Sequence, residues 1–299
     1  MHADTGSART AFTGPWPVMV LAHNEERHIE RCIRSILDGD PEASLEVYVM
    51  ANGCTDQTEA IVGAIAAEDR RVHNVSIEVG DKCNAWNVFV HDTALHACPG
   101  RGIYFFMDGD ATAVPGSFSA MAGVLATDDF ANAVGAPPAS GRSMQHDRNE
   151  LLANRGLVAN LYALRGSFVQ RCRTEGVRIP LKLEGDDGLI GALVKWDLDP
   201  RHPMDDGRIA VCPAAGFAFE SFQLRHPRDV QAYWKRMVRY GRRRYEFDLL
   251  GPKLKAGGLR AMPVDIRELY SGANALSLRR DGIYTLTNWV ALRQMRKAA

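Results

Sequence analysis

Two carboxylates separated by one glycine follow an apolar run in residues 103–110, which read Ile-Tyr-Phe-Phe-Met-Asp-Gly-Asp. Carboxylate oxygens are ligands that hard divalent cations prefer, and Asp108 and Asp110 can converge on one such cation where the chain is irregular. Gly109 has no side chain, so a ligand can approach the backbone closely there. A divalent cation held in this way keeps coordination positions open for phosphate oxygens. The motif alone is equally typical of a solvated turn, because Asp and Gly are common turn residues.

A second pair of acids, Asp186 and Asp187, stands before a stretch whose apolar residues 189, 190, 193 and 194 have helical spacing. The unpaired N–H groups of the first helical turn favour carboxylates, so helix capping explains one of these aspartates. Helix capping explains less well why two acids are adjacent and why Glu184 lies close to them in the sequence. The pair is therefore a second candidate for chemistry.

The elements that must position these acids are predicted from apolar runs and turn residues in the first 130 residues. Continuous apolar runs predict strands buried on both faces, and apolar residues at helical spacing predict the helices between them. The strands are predicted at 16–22, 45–51, 72–79 and 103–108, and the helices at 29–37, 55–65, 83–96 and 115–126. This alternation predicts an α/β fold with a doubly wound, mostly parallel sheet.

Polar residues follow each predicted strand. Because parallel strands end at the same edge of a sheet, where open α/β sheets bind their ligands, we expect these residues to line one cleft. They are Asn24, Glu25, residues 52–56, Lys82, Asp108 and Asp110.

Beyond residue 130 the pattern is looser. We predict a loop at 137–141, a helix at 149–164, a short strand at 166–170, a strand at 208–211 and one or two helices within 266–297. Residues 233–245 predict a basic helix with interleaved aromatic residues. Such a helix is able to bind pyrophosphate, an anionic membrane surface or nucleic acid, or to be simply a solvated amphipathic helix.

The composition is that of an ordinary globular protein. Of 299 residues, 46% are hydrophobic and 24% charged, and the net charge of zero gives no field that would attract nucleic acid. The six cysteines form no Cys-x-x-Cys pair, which favours buried reduced thiols over disulfides or a zinc site. No apolar run approaches the ~20 residues of a membrane span, and the first 14 residues lack the apolar core of a signal peptide. We expect a cytoplasmic protein, with peripheral membrane contact through 233–245 as an option.

Taken together, these segments resemble the GT-A fold glycosyltransferases, and most closely the inverting family 2. That family has a Pro-Ala-Tyr-Asn-Glu segment after its first strand, an Asp-Asp-Gly-Ser-Thr-Asp segment after its second, a Gly-Lys segment, an Asp-x-Asp motif, a later acidic pair and an Arg-Trp-x-x-Gly region. The corresponding segments here are Leu21-Ala-His-Asn-Glu25, Ala51-Asn-Gly-Cys-Thr-Asp56, Asp81-Lys-Cys-Asn-Ala-Trp-Asn87, Asp108-Gly-Asp110, Asp186-Asp187 and Val238-Arg-Tyr-Gly-Arg242.

The resemblance implies a Rossmann-like GT-A domain with a C-terminal helical extension. It divides the chain into a flexible tail (1–15), a nucleotide-sugar-binding half (16–130), an acceptor-binding half of the same domain (131–225) and a C-terminal helical region (226–299). The implied activity is hexosyl transfer from a nucleotide-diphosphate sugar, most often a UDP-sugar, to an acceptor hydroxyl with inversion. The acceptor would be a glycan, a lipid-linked molecule or a small molecule.

The resemblance also assigns roles to residues. Asp187 would be the base that deprotonates the acceptor, assisted by Asp186, because two close carboxylates do not ionise independently. Asp108 and Asp110 would hold Mg²⁺ or Mn²⁺, with Glu220 as the third ligand and His226 or His202 as weaker options. The donor-binding residues would be Leu21, Ala22, His23, Glu25, Asn52, Lys82, Asn87, Asp108, Gly109, Asp110, Arg239 and Arg242.

This chain departs from the family at two of those positions. Asn52 stands where the family has an acid that accepts a hydrogen bond from uracil, although an amide oxygen also accepts. His23 replaces a tyrosine and retains a ring for stacking. Other functions fit less well: a sugar nucleotidyltransferase would need a Gly-rich basic loop near the N-terminus, and a non-catalytic sugar-nucleotide-binding protein would not need Asp108, Asp110 and Asp187 together. A retaining GT-A transferase differs only in the anomeric configuration of its product.

Overall fold

The computed structural model describes residues 12, 14–141, 143–220 and 227–299. A seven-stranded mixed sheet runs through its centre in the order β3-β2-β1-β4-β7-β6-β8, and β5 and β9 pair in a second, two-stranded sheet. The strands are β1 (Trp16–Ala22), β2 (Leu45–Asn52), β3 (Val72–Ile77), β4 (Ile103–Asp108), β5 (Ala111–Ala113), β6 (Ala133–Gly135), β7 (Leu161–Arg165), β8 (Ile209–Val211) and β9 (Phe217–Phe219).

Helices cover both faces of the central sheet. They are α1 (Ile29–Gly39), α2 (Thr58–Glu68), α3 (Lys82–Val88), α4 (Ser117–Thr127), α5 (Met144–Asn154), α6 (Gly166–Thr174), α7 (Asp186–Lys195), α8 (Pro227–Gly257) and α9 (Thr285–Lys297). A π-helical stretch, Phe89–Thr93, and a short turn, Ala94–His96, extend α3. No helix in the described part of the chain is both long enough and apolar enough to cross a bilayer.

The predicted parallel half of the sheet is confirmed. Strand β1 pairs in parallel with β2 and β4, and β2 with β3. Successive side chains of β4 enter separate hydrophobic cores, with Phe106 on one face and Phe105 on the other. Because side chains of a strand alternate between its faces, burial of both faces explains why the sequence shows a continuous apolar run rather than an alternating one.

The prediction for residues 149–170 was wrong. Helix α5 ends at Asn154, residues 161–165 form strand β7 rather than the end of a helix, and residues 166–170 lie in helix α6 rather than in a strand. Strand β7 is antiparallel to β4, and the rings of Phe106 and Tyr162 stack with centroids 4.8 Å apart. A short apolar run has no periodicity of its own, so pairing with β4, remote in sequence, decides its structure.

The predicted C-terminal helices are confirmed, and they pack on one another. Helix α8 contains the predicted basic helix 233–245 and crosses α9 at Gly241, where a Cβ atom would lie 2.9 Å from Asn288 Oδ1. Three 3₁₀ segments, Gly258–Ala261, Ile266–Ala275 and Gly282–Tyr284, join the helices. Burial of Tyr245, Leu250 and Met295 ties this region to the same core as the sheet.

Two smaller predictions concern the thiols and the N-terminal tail. All six cysteines are free, as predicted; Cys54 is half-buried and the other five are buried. The predicted flexible tail, 1–15, lies largely outside the described residues. Phe12, however, is buried, and its carbonyl oxygen accepts a hydrogen bond of 3.2 Å from Trp16 Nε1.

Candidate active site

The Asp108-Gly109-Asp110 turn sits at the carboxyl edge of the sheet, where β4 leaves its pairing with β1. Asp108 is paired in register with Leu21, and the N–H of Gly109 donates a hydrogen bond of 2.8 Å to Leu21 O. A Cβ atom on Gly109 would lie 2.8 Å from that same oxygen. Only glycine therefore lets the turn approach β1 this closely, and the approach fixes where both carboxylates stand.

Lys82 links the two acidic motifs. Its ammonium nitrogen lies 3.0 Å from Asp108 Oδ1 and 3.6 Å from Asp186 Oδ1. The lysine is the first residue of α3, whose N-terminus is capped by the Asp81 carboxylate through the N–H groups of Cys83 and Asn84. The fold thus brings Lys82, the Asp-x-Asp turn and the start of α7 to one point, as the sequence predicted.

The charges in this group perturb one another. Burial alone would lower the pKa of the Lys82 ammonium, but Asp108, Asp186 and Asp187 outweigh burial and raise it. Burial raises the pKa of the Asp186 carboxyl to about 6; Lys82 opposes that rise, while Asp187 and Asp108 add to it. The pKa of Lys82 rises because several acids surround one ammonium, and that of Asp186 rises chiefly because its carboxyl is buried. The lysine therefore stays charged, and Asp186 titrates close to neutrality.

Asp110 is the solvent-exposed acid of this group. Its carboxylate reaches solvent in the cleft, and no side chain of the described residues forms an ion pair or hydrogen bond with it. Partial burial and then Asp108 raise its pKa, which Lys82 and His28 only partly offset. An all-oxygen donor set with unneutralised charge fits a hard cation such as Mg²⁺ or Mn²⁺, so Asp108 and Asp110 are suited to hold one.

The structure gives no support to Glu220 as a third metal ligand. Glu220 Oε1 lies 2.9 Å from Arg31 Nη1, and its other oxygen lies 3.7 Å from His28 Nε2. Within the described ranges, no group of three His, Cys, Asp or Glu residues is spaced to hold a metal ion. His202 is exposed and pairs with Asp199 at 3.2 Å, and His226 lies outside the described residues.

The residues predicted to face the nucleotide base are joined by hydrogen bonds at the ends of β1 and β2. His23 Nδ1 lies 2.7 Å from Asn52 O, and Asn52 Nδ2 donates to Ala22 O at 2.9 Å. Asn52 is buried, and its side-chain oxygen has no partner in the described structure. Glu25 stands beside the acids, where burial raises the pKa of its carboxyl and His28 lowers it.

Asn87 has a structural position. Its side chain is buried, and its amide donates to Ile179 O and accepts from Ile179 N, each at 2.8 Å. Both polar ends of the amide are therefore used to hold the 177–181 segment against α3. The predicted role of Asn87 in donor binding has no support from this arrangement.

The basic helix contacts the acids through a residue that sequence reasoning missed. Arg243 Nη1 lies 3.1 Å from Asp187 Oδ1, whereas the predicted Arg242 pairs with Glu184 at 3.3 Å and Arg239 is exposed. Gly185 precedes α7 with φ +86°, and a Cβ atom there would meet Arg243 Nε at 2.4 Å. The run Arg242-Arg-Arg244 was the only signal, and it does not show which arginine faces the cleft.

A family model described as glycosyl transferase family 2 matches residues 18–177, which is more than half of the chain. The chain belongs to this family. It is thus a glycosyltransferase, as the motifs predicted, and the match spans the four parallel strands, Lys82 and the Asp-x-Asp turn.

Several solved structures share the fold. The mannosyltransferase PcManGT of Pyrobaculum calidifontis, solved with GDP-Man and Mn²⁺, has a TM-score of 0.58 at 15% identity, covering 98% of this chain and 92% of its own. Glucosyl-3-phosphoglycerate synthase of Mycobacterium tuberculosis, solved with Mn²⁺, UDP-Glc and phosphoglyceric acid, has a TM-score of 0.50 at 22% identity, covering 80% and 83%. S. aureus TarS has a TM-score of 0.52 at 15% identity, covering 95% and 81%. No curated protein sequence matches the chain.

The burial of Asp186 predicts a pH-dependent effect of Asp186→Asn on stability. A carboxyl whose pKa is raised in the folded state stabilises the protein below its unfolded pKa, and this contribution is lost as the pH rises through about 6. The Asp186→Asn variant has no carboxyl at this position, so it does not lose stability in this way as the pH rises. Its free energy of unfolding should therefore rise relative to wild type by on the order of 2–3 kcal/mol between pH 4 and pH 7. Urea denaturation at both pH values measures the difference. Asp187→Asn, at the more exposed neighbour, is the control, and an equal difference at both pH values would contradict the assignment.

Proposed function

We propose that this protein is a metal-dependent, inverting glycosyltransferase that transfers a hexose from a nucleotide-diphosphate sugar to an acceptor hydroxyl. The observation that carries the proposal is the meeting of Asp108, Lys82 and Asp186 within 3.0 and 3.6 Å at the carboxyl edge of the sheet. An ammonium among these acids, with Asp110 open beside it, is suited to a ligand that brings both phosphate and a divalent cation.

The donor would lie along the carboxyl ends of β1, β2 and β4. Its base would face Leu21, Ala22, His23 and Asn52, and its diphosphate would face Lys82 and Asp110. A Mg²⁺ or Mn²⁺ ion held by Asp108 and Asp110 would supply Lewis-acid stabilisation of the departing nucleoside diphosphate. Lys82 would donate hydrogen bonds to the same oxygens, since the acids around it keep its ammonium charged.

We infer that the donor carries uridine. The unpartnered side-chain oxygen of Asn52 is an acceptor at the end of β2, where the N3–H of uracil would need one. The two donor-bound relatives differ, since one holds GDP-Man and the other UDP-Glc. Guanine also presents a ring N–H donor, so a calorimetric comparison of UDP with GDP decides between the two bases.

The acceptor would be activated by Asp187. A general base must be reached by the incoming hydroxyl, and the Asp187 side chain is more exposed than that of Asp186, at 14% against 10%. Asp186 is instead turned to Lys82, where it helps to place the lysine. Arg243 pairs with Oδ1 of Asp187, so Oδ2 is the oxygen that would accept the proton.

Retaining transfer is the second candidate. It is favoured by the ion pair between Asp187 and Arg243, because a carboxylate held by a guanidinium is less available as a base. NMR of the first-formed product decides between the two, since inversion gives an anomeric configuration opposite to that of the donor.

Asp187→Asn should lower kcat by at least a hundredfold, the lower end of the ~10²–10⁴ range that general-base catalysis contributes, because the amide cannot accept the acceptor's proton. Affinity for the nucleoside diphosphate should stay within about twofold of wild type. Initial rates and calorimetry measure the two quantities. Asp199→Asn, at a surface acid paired with Arg201, is the matched control. Normal turnover by Asp187→Asn would remove Asp187 from the base role.

Asp110→Ala should abolish the increase in nucleotide affinity that Mn²⁺ gives the wild-type protein. The reason is that Asp110 is the carboxylate left open to a cation, while Asp108 is already paired with Lys82. Calorimetric titration of UDP with and without Mn²⁺ measures the effect. Asp129→Ala, at an exposed acid between α4 and β6, should leave the increase unchanged. A variant at Asp110 that still responds to Mn²⁺ would show that the metal site lies elsewhere.

We also propose peripheral contact with an anionic membrane that presents the acceptor. Residues 227–299 contain 16 Lys and Arg against six Asp and Glu, whereas residues 1–226 contain 20 against 30. Large apolar side chains are exposed in the same region; Ile283 is 85% exposed and Leu286 is 57% exposed. Apolar and basic groups together suit a bilayer surface better than nucleic acid, which offers no apolar interior.

Co-sedimentation with vesicles tests this contact. Wild-type protein should pellet with vesicles rich in phosphatidylserine and stay in solution with phosphatidylcholine alone. The double variant Ile283→Ser, Leu286→Ser should bind more weakly, because two exposed apolar side chains are lost. Val264→Ser is the control, because Val264 is 75% exposed but lies outside the segment that contains Ile283 and Leu286. Equal sedimentation with both vesicle types would end the proposal.

A further inference from the structure

Glu246 is a buried acid that the proposed chemistry does not use. It lies in the middle of α8, it is fully shielded from solvent, and it is 59 residues away from Asp187 in the chain. A buried carboxyl needs hydrogen-bond partners, since an unsatisfied one is costly. The partners of Glu246 therefore indicate what it does.

Both oxygens of Glu246 are engaged. Oε2 accepts a hydrogen bond of 2.8 Å from the backbone N–H of Glu184, two residues before the first of the paired aspartates. Oε1 accepts a hydrogen bond of 2.5 Å from the Tyr270 hydroxyl, in the 3₁₀ segment Ile266–Ala275. The carboxyl thus joins the loop before α7 to the C-terminal region.

The same loop is anchored on its other side by the residue next to Lys82. The N–H of Lys182 donates a hydrogen bond of 2.8 Å to Asp81 Oδ2, and the carbonyl of Leu183 accepts from Cys83 Sγ at 3.5 Å. Two buried acids, Asp81 and Glu246, therefore hold N–H groups two residues apart. They fix residues 182–184 between the start of α3 and the middle of α8.

The anchored segment 182–184 lies almost directly before the catalytic acids, and the chain between them has little conformational freedom. Only Gly185 stands between Glu184 and Asp186, and its left-handed backbone turns the chain directly into α7. Arg243 covers Gly185 and Gly188, where added Cβ atoms would lie 2.4 and 2.6 Å from its side chain. The position of Glu184 therefore sets the position of the aspartates that follow.

We propose that Glu246 is a positioning residue for transfer: its carboxyl holds the Glu184 N–H and thereby places Asp186 against Lys82 and Asp187 at the acceptor side of the cleft. The proposal rests on the function assigned to these aspartates above. It makes α8 a part of the catalytic machinery rather than an appended helix.

Titration of Glu246 leaves this anchor in place. Burial raises the pKa of its carboxyl to about 7, opposed by Tyr270 and the Glu184 N–H; the charged groups facing it are Glu184, which adds to the rise, and Arg242, which opposes it. Neutral or charged, the group retains an oxygen that accepts from the Glu184 N–H. The anchor therefore depends on the length of the Glu246 side chain rather than on its charge.

Two substitutions at Glu246 distinguish the effect of side-chain length from the effect of charge. Glu246→Gln keeps the length of the side chain and a carbonyl acceptor but removes the charge, whereas Glu246→Asp keeps the charge and shortens the side chain by one methylene. Glu246→Gln should retain kcat within about threefold. Glu246→Asp should lower kcat by on the order of tenfold to a hundredfold, because a misplacement of ~1 Å is that costly in an active site. The KM for the donor should be unchanged in both.

Hydrogen exchange of the intact proteins supplies a readout that does not depend on activity. The 184–188 backbone should exchange faster in Glu246→Asp than in wild type or Glu246→Gln, while strands β1 and β4 stay protected in all three. Asp248→Asn, on the same helix but paired with Arg279, should change neither exchange nor kcat. If every variant lacks activity on all donors but the exchange pattern holds, the proposed function fails and the anchor stands.

The opposite ranking would overturn the proposal. An active Glu246→Asp together with an inactive Glu246→Gln would show that charge, not placement, is required. Equal exchange of 184–188 in all variants would show that Glu246 does not hold the loop. Faster exchange throughout Glu246→Asp, in β1 and β4 as well, would show a general contribution to folding instead of a positioning role.

Discussion

The site depends on one ammonium group placed among acids that would otherwise repel one another. The ammonium nitrogen of Lys82 lies 3.0 Å from Asp108 and 3.6 Å from Asp186. Among the described residues, Lys82 is the only cation that pairs with both acidic motifs. Burying several carboxylates without a cation is strongly unfavourable. The lysine therefore lets the fold assemble a concentrated negative site while it leaves Asp110 open.

This arrangement couples elements that are far apart in the chain. Lys82 is placed by the Asp81 cap of α3, and Asp81 also holds the loop that leads to Asp186. From the other side, Glu246 and Arg243 of α8 hold the same loop and its second aspartate. The Asp-x-Asp turn and the Asp186-Asp187 pair are thus fixed relative to each other through a short segment, 182–187, that is held at the start of α3 and by α8.

The sequence predicted the parts of the site that are local. Asp108 and Asp110 could be recognised because a buried strand must end in a turn, and the carboxyl ends of parallel strands share an edge. The same rule predicted that Lys82 lies at this edge, whereas its pairing with Asp108 and Asp186 is visible only in the structure.

The parts that were missed are set by contacts between distant residues. Strand β7 is a strand because β4 pairs with it, and no pattern within residues 161–165 shows that. Arg243 rather than Arg242 reaches Asp187 because of how α8 crosses the loop. The hydrogen bonds of Asn87 to the backbone of Ile179 likewise join residues far apart in the chain.

The decisive measurement of the central claim is thermal unfolding with UDP-glucose and with GDP-mannose, each with and without Mn²⁺. Binding to the folded state alone raises stability by about 2.7 kcal/mol at a hundredfold excess over Kd. We expect a rise in Tm of several degrees with a nucleotide sugar and Mn²⁺ together, and a much smaller rise with either alone. No shift with any nucleotide sugar, at concentrations that stabilise known family members, would contradict the account.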